Sequence, residues 1–212
     1  MSSRMPALFI GHGSPMNAIT DNPFRAQWRE LGSTLPRPRA VLCVSAHWET
    51  AAPMVCTADP PKTIHDFGGF PPALSAVRYP APGSPALAER IQALADAEVS
   101  LNPGWGLDHG AWQVLMHLFP AADVPVVQLS LARSYTAAQH LDLARKLSVL
   151  RGEGVLILGS GNIVHNLRQI GASDTPAWAI DFDTAVAKAI ENQDLQALAD
   201  YGALPGAALA VP

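Results

Sequence analysis

The chain is short of three things that would otherwise classify it: cysteine, positive charge and long apolar runs. Only Cys43 and Cys56 occur in 212 residues, and neither sits in a Cys-x-x-Cys or Cys/His spacing. Two cysteines leave one disulfide open but no spacing of a zinc knuckle, and the expectation is that both thiols are buried and free in a reducing compartment. The formal net charge of -4 and pI of 5.9 supply no basic field for nucleic acid. No apolar run approaches the ~20 residues of a membrane span. After Met-Ser-Ser-Arg-Met-Pro, only a short apolar stretch precedes Gly11-His12-Gly13. That is less than the ~7–15 residues of a signal-peptide core, so a cytoplasmic address is expected. Internal repeats and low-complexity segments are lacking too. With 49% hydrophobic and 15% charged residues, the composition favours one packed globule.

Proline, by contrast, is plentiful, and its 19 residues fall at apparent element boundaries: Pro36 and Pro38, Pro60 and Pro61, Pro71 and Pro72, and Pro80, Pro82 and Pro85. Each fixes φ and removes a donor, which makes it punctuation. Between these marks strands and helices alternate. Strands are predicted at Ala7–Ile10, Ala40–Ala46, Met54–Thr57, Val124–Leu129 and Gly154–Leu158. Helices are predicted at Pro23–Leu35, Pro85–Ala97 with Ser84 as cap, Gly110–Phe119, Thr136–Leu150 and Ala177–Ile190. The run AVLCVSA is continuously apolar, as suits a strand covered on both faces. The pattern predicts an α/β fold: a single domain with a central, mostly parallel or mixed sheet flanked by helices. Ligands of such sheets bind beyond the carboxyl ends of the strands.

Three histidines fall there. His12 follows Leu8-Phe9-Ile10, His47 follows Val44-Ser45-Ala46, and His165 lies shortly after Val155-Leu156-Ile157-Leu158. In a parallel sheet their imidazoles meet at one edge, as a metal site requires. Gly11 and Gly13 flank His12, and Gly159 and Gly161 precede His165, allowing close approach of backbone to a ligand. Gly159-Ser160-Gly161 lacks the spacings of a dinucleotide loop or a nucleophile elbow. His109 stands at a loop-to-helix junction beside Asp108, which either orients it as part of the substrate pocket or caps the helix. His65, Phe67 and Phe70 belong to an aromatic, glycine-rich loop, suited to a pocket wall over a flat substrate or to simple packing. His117 and His140 lack such a context and are expected to be structural or exposed.

Six motifs occur in order along the chain: Gly11-His12-Gly13-Ser14-Pro15-Met16, Val44-Ser45-Ala46-His47-Trp48-Glu49, His65-Asp66-Phe67-Gly68-Gly69-Phe70-Pro71, Arg78-Tyr79-Pro80-Ala81-Pro82-Gly83, Leu107-Asp108-His109-Gly110-Ala111-Trp112 and Gly159-Ser160-Gly161-Asn162-Ile163-Val164-His165-Asn166. Together they resemble the DOPA 4,5-dioxygenase branch of the class III (LigB-type) extradiol ring-cleavage dioxygenases. The resemblance implies a non-haem Fe(II), with Zn(II) able to replace it in the isolated protein. It also implies a small aromatic substrate, a catechol, cleaved with O2 to a muconic semialdehyde. By the same resemblance His12 and His47 match metal ligands, and His165 matches a third active-site histidine, ligand or acid/base. His109 matches a pocket histidine that binds substrate or shuttles protons. Members of that branch usually continue into a Thr-Pro-Glu-His stretch with another metal-site histidine. The 212 residues are thus expected to form one catalytic domain lacking the family's C-terminal segment.

Fe(II) held on one face leaves room for both catechol oxygens and for dioxygen, and holding the reactants together makes their encounter effectively unimolecular. His165 and His109 are the candidates for moving protons at near-neutral pH. Three histidines suit zinc equally, so a zinc-dependent hydrolase and a non-catalytic metal-binding relative of the same fold are the competing readings. No nucleic-acid or membrane partner is expected, and the sequence leaves the oligomeric state open.

Overall fold

The alternation of strands and helices is realised in a computed structural model that describes residues 4–171 and 174–211; the first three residues and Pro212 lie outside it. The strands are β1 (Ala7–Gly11), β2 (Ala40–Thr50), β3 (Met54–Cys56), β4 (Lys62–Thr63), β5 (Ser100–Asn102), β6 (Gly106–Leu107), β7 (Val126–Ala132) and β8 (Val155–Gly161). The helices are α1 (Pro23–Thr34), α2 (Pro72–Ser75), α3 (Pro85–Leu94), α4 (His109–Leu118), α5 (Ala137–Leu147), α6 (Ala177–Glu191), α7 (Leu195–Ala199) and α8 (Ala207–Ala210). Two compact units result. One comprises residues up to Tyr135 together with Asp142–Gly161; the other comprises Thr136–Leu141 and the chain from Asn162 onward.

The first unit holds a six-stranded sheet in the order β1-β8-β2-β7-β3-β5. Every pairing is parallel except β3 with β7, so the sheet is mixed but mostly parallel. Side chains alternate across it. Val41, Cys43, Leu156 and Leu158 join Trp28 of α1 and Trp112, Leu115 and Leu118 of α4 in one core. Leu42, Val127, Leu129 and Val155 join Leu87 and Ile91 of α3 and Leu143 and Leu147 of α5 in another. Burying each large side chain contributes about 1.5–3 kcal/mol, so burial on both faces explains the uninterrupted apolar run of β2. Cys43 and Cys56 are both buried and free, as expected.

Start signals held better than stops. Asn22 and Ser84 cap α1 and α3, each with proline at the first helical positions. The predicted end of α3 at Ala97 is three residues too late, because Asp96 and Ala97 take positive φ and turn the chain out of the helix. The helix predicted over residues 136–150 ends at Leu147 and tightens into a 3-10 turn over Ser148–Glu153. β2 runs to Thr50, four residues beyond its predicted end, because a register shift between Val44 and Glu49 lets it resume pairing with β7. His47 thus sits in that irregular stretch and not past the strand's end.

The two residues each of β4 and β6 form a separate parallel ladder, extended by the Ile64 N–H bond to the Leu107 carbonyl at 2.7 Å. Gly106 is required there: a Cβ would stand 2.2 Å from the Lys62 carbonyl oxygen. This small ladder lays the loop after Thr63 beside the start of α4. The second unit is helical, with its core on Phe182, Val186, Ala207 and Ala210. Among the described residues no helix is long and apolar enough to cross a membrane.

Candidate metal centre

His12, His47 and His109 come together at the sheet's carboxyl edge, one possible ligand atom from each lying within 4.8 Å of the others. His12 is set directly after β1, where its N–H bonds the Gly161 carbonyl at 3.2 Å. His109 is the first residue of α4. That helix can begin so close to β2 because residue 110 is glycine; a Cβ there would lie 2.5 Å from Ser45 Oγ and 3.1 Å from the His47 ring.

Hydrogen bonds orient the rings of His12 and His109, and a carboxylate faces that of His47. The Ser160 hydroxyl donates to the Gly110 carbonyl at 2.6 Å, so toward His12 Nδ1, 2.9 Å away, it acts as acceptor. The His12 proton therefore resides on Nδ1, and Nε2 carries the lone pair. Asp66 performs the same service for the other two. Its carboxylate accepts from His109 Nδ1 at 3.0 Å and from the His109 backbone N–H at 2.9 Å, and its second oxygen lies 3.4 Å from His47 Nδ1. Burial raises the Asp66 carboxyl, but the bonds from the His109 side chain and backbone outweigh it and hold the group below its ordinary range.

His12 Nε2 and His47 Nε2 stand 3.0 Å apart, and with the His47 proton on the Nδ1 that faces Asp66 their lone pairs point at each other. Two lone pairs at that distance repel unless something positive lies between them. Nitrogens bound at about 2.1 Å to one cation stand roughly 3.0–3.4 Å apart for right-angled to tetrahedral coordination. The residues therefore fit a divalent metal, in the arrangement by which an outer hydrogen bond fixes the tautomer of a ligating imidazole. His12 is buried, at 1% exposure, while the His47 side chain is 26% exposed, so the group opens to the outside on the His47 side.

The aromatic loop lies against this opening. The Phe67 ring meets His109 edge-on at 5.6 Å between centroids, and Phe70 meets Phe67 at 5.5 Å. His65 stands 5.7 Å from Phe67 and 5.6 Å from Trp112. His65 Nε2 donates to the Val77 carbonyl at 3.0 Å, and Trp112 Nε1 donates to the Ile64 carbonyl at 2.8 Å. Edge-on ring contacts of this kind are worth about 0.5–1.5 kcal/mol each.

Asp108, expected in the pocket or as a cap, is fully buried and caps α4. It accepts from the Ala111 N–H at 3.2 Å, from the Ser45 hydroxyl at 2.7 Å and from the Gln128 side-chain amide. Burial pushes its carboxyl up, partly offset by the Ser45 and Gln128 bonds. His165 is not one of the three grouped histidines. It belongs to the second unit, is exposed, and its backbone N–H bonds the Ala210 carbonyl at 3.0 Å. His117 is buried within α4 and His140 lies at the surface, as expected. Two residues of the site escaped sequence reasoning. Asp66 was visible only as part of the His-Asp-Phe motif, and Ser160 only as the middle of Gly-Ser-Gly.

Comparison with known proteins supplies the family. The family described as the catalytic LigB subunit of aromatic ring-opening dioxygenase matches residues 6–204. The 4,5-DOPA dioxygenase extradiol of Escherichia coli K12 is 53% identical over 190 residues, covering 87% of this chain and 70% of that protein. The enzyme of the same description from Beta vulgaris is 41% identical over 203 residues, 91% of this chain and 75% of its own. A crystal structure of an uncharacterized E. coli K12 protein superimposes with a TM-score of 0.84 at 43% identity, covering 99% of this chain and 83% of that one.

Proposed function

The chain belongs to the LigB family of aromatic ring-opening dioxygenases, and from that membership we propose that it cleaves a small, DOPA-like catechol with O2 beside its two hydroxyls, using Fe(II) held by His12 and His47. It is an extradiol ring-cleaving dioxygenase; the catechol and the metal are the proposed parts. The observation that carries the reading is the set of three imidazoles with their outer nitrogens anchored and their inner nitrogens turned together beside an aromatic wall. When bound, the metal supplies the electron path between catechol and dioxygen.

The protein's own residues do the rest. His12 and His47 present neutral Nε2 atoms as ligands. His109 is the proton carrier: with Nδ1–H tied to Asp66, its Nε2 is the basic atom that takes a catechol proton and later returns one. Asp66 stabilises the imidazolium formed meanwhile, so the proton is held at His109 and not lost to solvent. Phe67 and Phe70 offer ring edges and faces to a planar substrate, fixing its plane and excluding water from one side. For His165 the ligand or acid–base role remains a proposal drawn from sequence, tested by its alanine variant alongside the others. A cytosolic address is likewise proposed, supported by the two buried free thiols.

Oxygen uptake after anaerobic loading with Fe(II), with DOPA, protocatechuate and catechol offered in turn, tests the reading. Uptake matched by a yellow product, abolished in His47→Ala and absent with Zn(II), is expected. Tight metal binding without uptake on any of the three catechols would refute it.

A further inference from the structure

One carboxylate serves two members of the histidine group, and it belongs to the loop that forms the aromatic wall. Ionised Asp66 can only accept, so His109 Nδ1, bonded to it at 3.0 Å, carries a proton, and a proton on His47 is favoured on the Nδ1 that stands 3.4 Å from the second oxygen. Each ring is thereby left with a basic Nε2, a ligand atom in His47 and a proton acceptor in His109. The loop is fixed on its approach by Ile64, which bonds Leu107 and Trp112. Beyond Asp66 the rings of Phe67 and Phe70 rest on the core, but the backbone between them is open. Gly68 and Gly69 are exposed, a Cβ at either would touch nothing, and Gly69 takes a φ of +77°. Phe67 and Phe70 thus sit on either side of a glycine pair, in a segment whose polar anchor to the site is Asp66.

We propose that Asp66 is a positioning residue that couples metal occupancy to the ordering of the aromatic loop. A metal drawing on the His47 Nε2 lone pair makes its Nδ1–H a better donor, which tightens the contact to Asp66 and pins residues 66–70 beside His109. The coupling is reciprocal: a loop held in place raises metal affinity by the factor by which metal holds the loop. The inference rests on His12 and His47 holding a metal beside His109, as the proposed function has it, but it requires neither iron nor turnover.

The test uses the full chain with Zn(II) alone. In wild type, zinc slows amide exchange across Phe67–Phe70 by roughly tenfold or more. In Asp66→Asn the amide oxygen can still accept from His109, but its NH2 cannot accept from His47. Zinc affinity, read by chelator competition, then falls roughly 10–100-fold, and protection of Phe67–Phe70 disappears. A wild type that binds no zinc overturns the metal-site reading itself. A wild type that binds zinc tightly yet shows unchanged exchange at 67–70 overturns the coupling alone, whether or not Asp66→Asn folds. Unchanged zinc affinity in a folded Asp66→Asn does the same.

Discussion

His12 and His47 face each other across 3.0 Å, yet unlike parts of the fold hold them. His12 is fixed by the sheet: it follows an edge strand, bonds β8 through its backbone, and rests on a serine of that strand. His47 lies where β2 loses register with β7 and faces a carboxylate borrowed from a loop. One half of the site is part of the core and nearly inaccessible. The other half is exposed enough for an incoming ligand to meet it. The difference teaches how a rigid scaffold can hold an adjustable centre: the buried ring sets position, and the loop-held rings adapt to what binds.

The largest expected effect comes from removing the sheet-held half. His12→Ala should weaken zinc binding by more than the roughly 100-fold that marks the upper end for outer-shell partners, and abolish oxygen uptake of the Fe(II)-loaded protein. Near-normal affinity in chelator competition would mean that the loop-held rings suffice, which would dissolve the contrast.

Ser160→Ala sharpens the comparison more gently. It frees the His12 ring and leaves the Gly110 carbonyl and the His12 Nδ1–H buried without their partner. Zinc affinity is expected to fall roughly 10–100-fold, with a loss of about 1–3 kcal/mol in urea unfolding for the unpaired buried groups. Asp66→Asn should match it in metal affinity but cost less stability, because its side chain is 21% exposed. Equal stability losses would argue that both anchors are equally part of the core.

The smallest effect belongs to neither half. His117, two turns along α4 from His109, is buried, and burial followed by the charges of Arg25 and Arg29 depresses its pKa below 6.5. Below about pH 6.5 the unfolded chain takes up a proton there that the folded chain refuses. Stability is therefore complete above that pH and declines as pH falls toward the folded value. His117→Gln should flatten the urea-midpoint profile in that acid window, by at most about 1.4 kcal/mol per pH unit, and leave zinc affinity unchanged. A shift in zinc affinity would show that the length of α4 transmits strain to the site.

Legibility in the sequence followed the same division. His12 could be found because a short apolar strand ended on Gly-His-Gly, and strand ends are where parallel sheets place ligands. His47 was found by the same rule although β2 continues beyond it, since a register shift leaves no trace in hydropathy. His109 was visible beside the cap residue of a helix. Asp66 was not, because its contact with His109 spans 43 residues and is brought about by two strands of two residues each, too short to show any period. Ser160 was hidden because nothing local says which partner a hydroxyl between two glycines will take. Asp108 illustrates the converse: a carboxylate beside a histidine invites a catalytic role, and burial gave it a cap and two side-chain partners instead. The short helices of the second unit escaped since four or five residues carry no amphipathic signature.

Gly110 has a consequence for anyone wishing to transplant this centre. Three histidines can be written onto the strand ends of many parallel sheets, and a loop carboxylate can be added to orient them. The copy would still fail wherever the following helix cannot come to rest against a serine and an imidazole with no side chain of its own in between. What must be grafted is a clearance, and at position 110 the alphabet has a single letter that provides it.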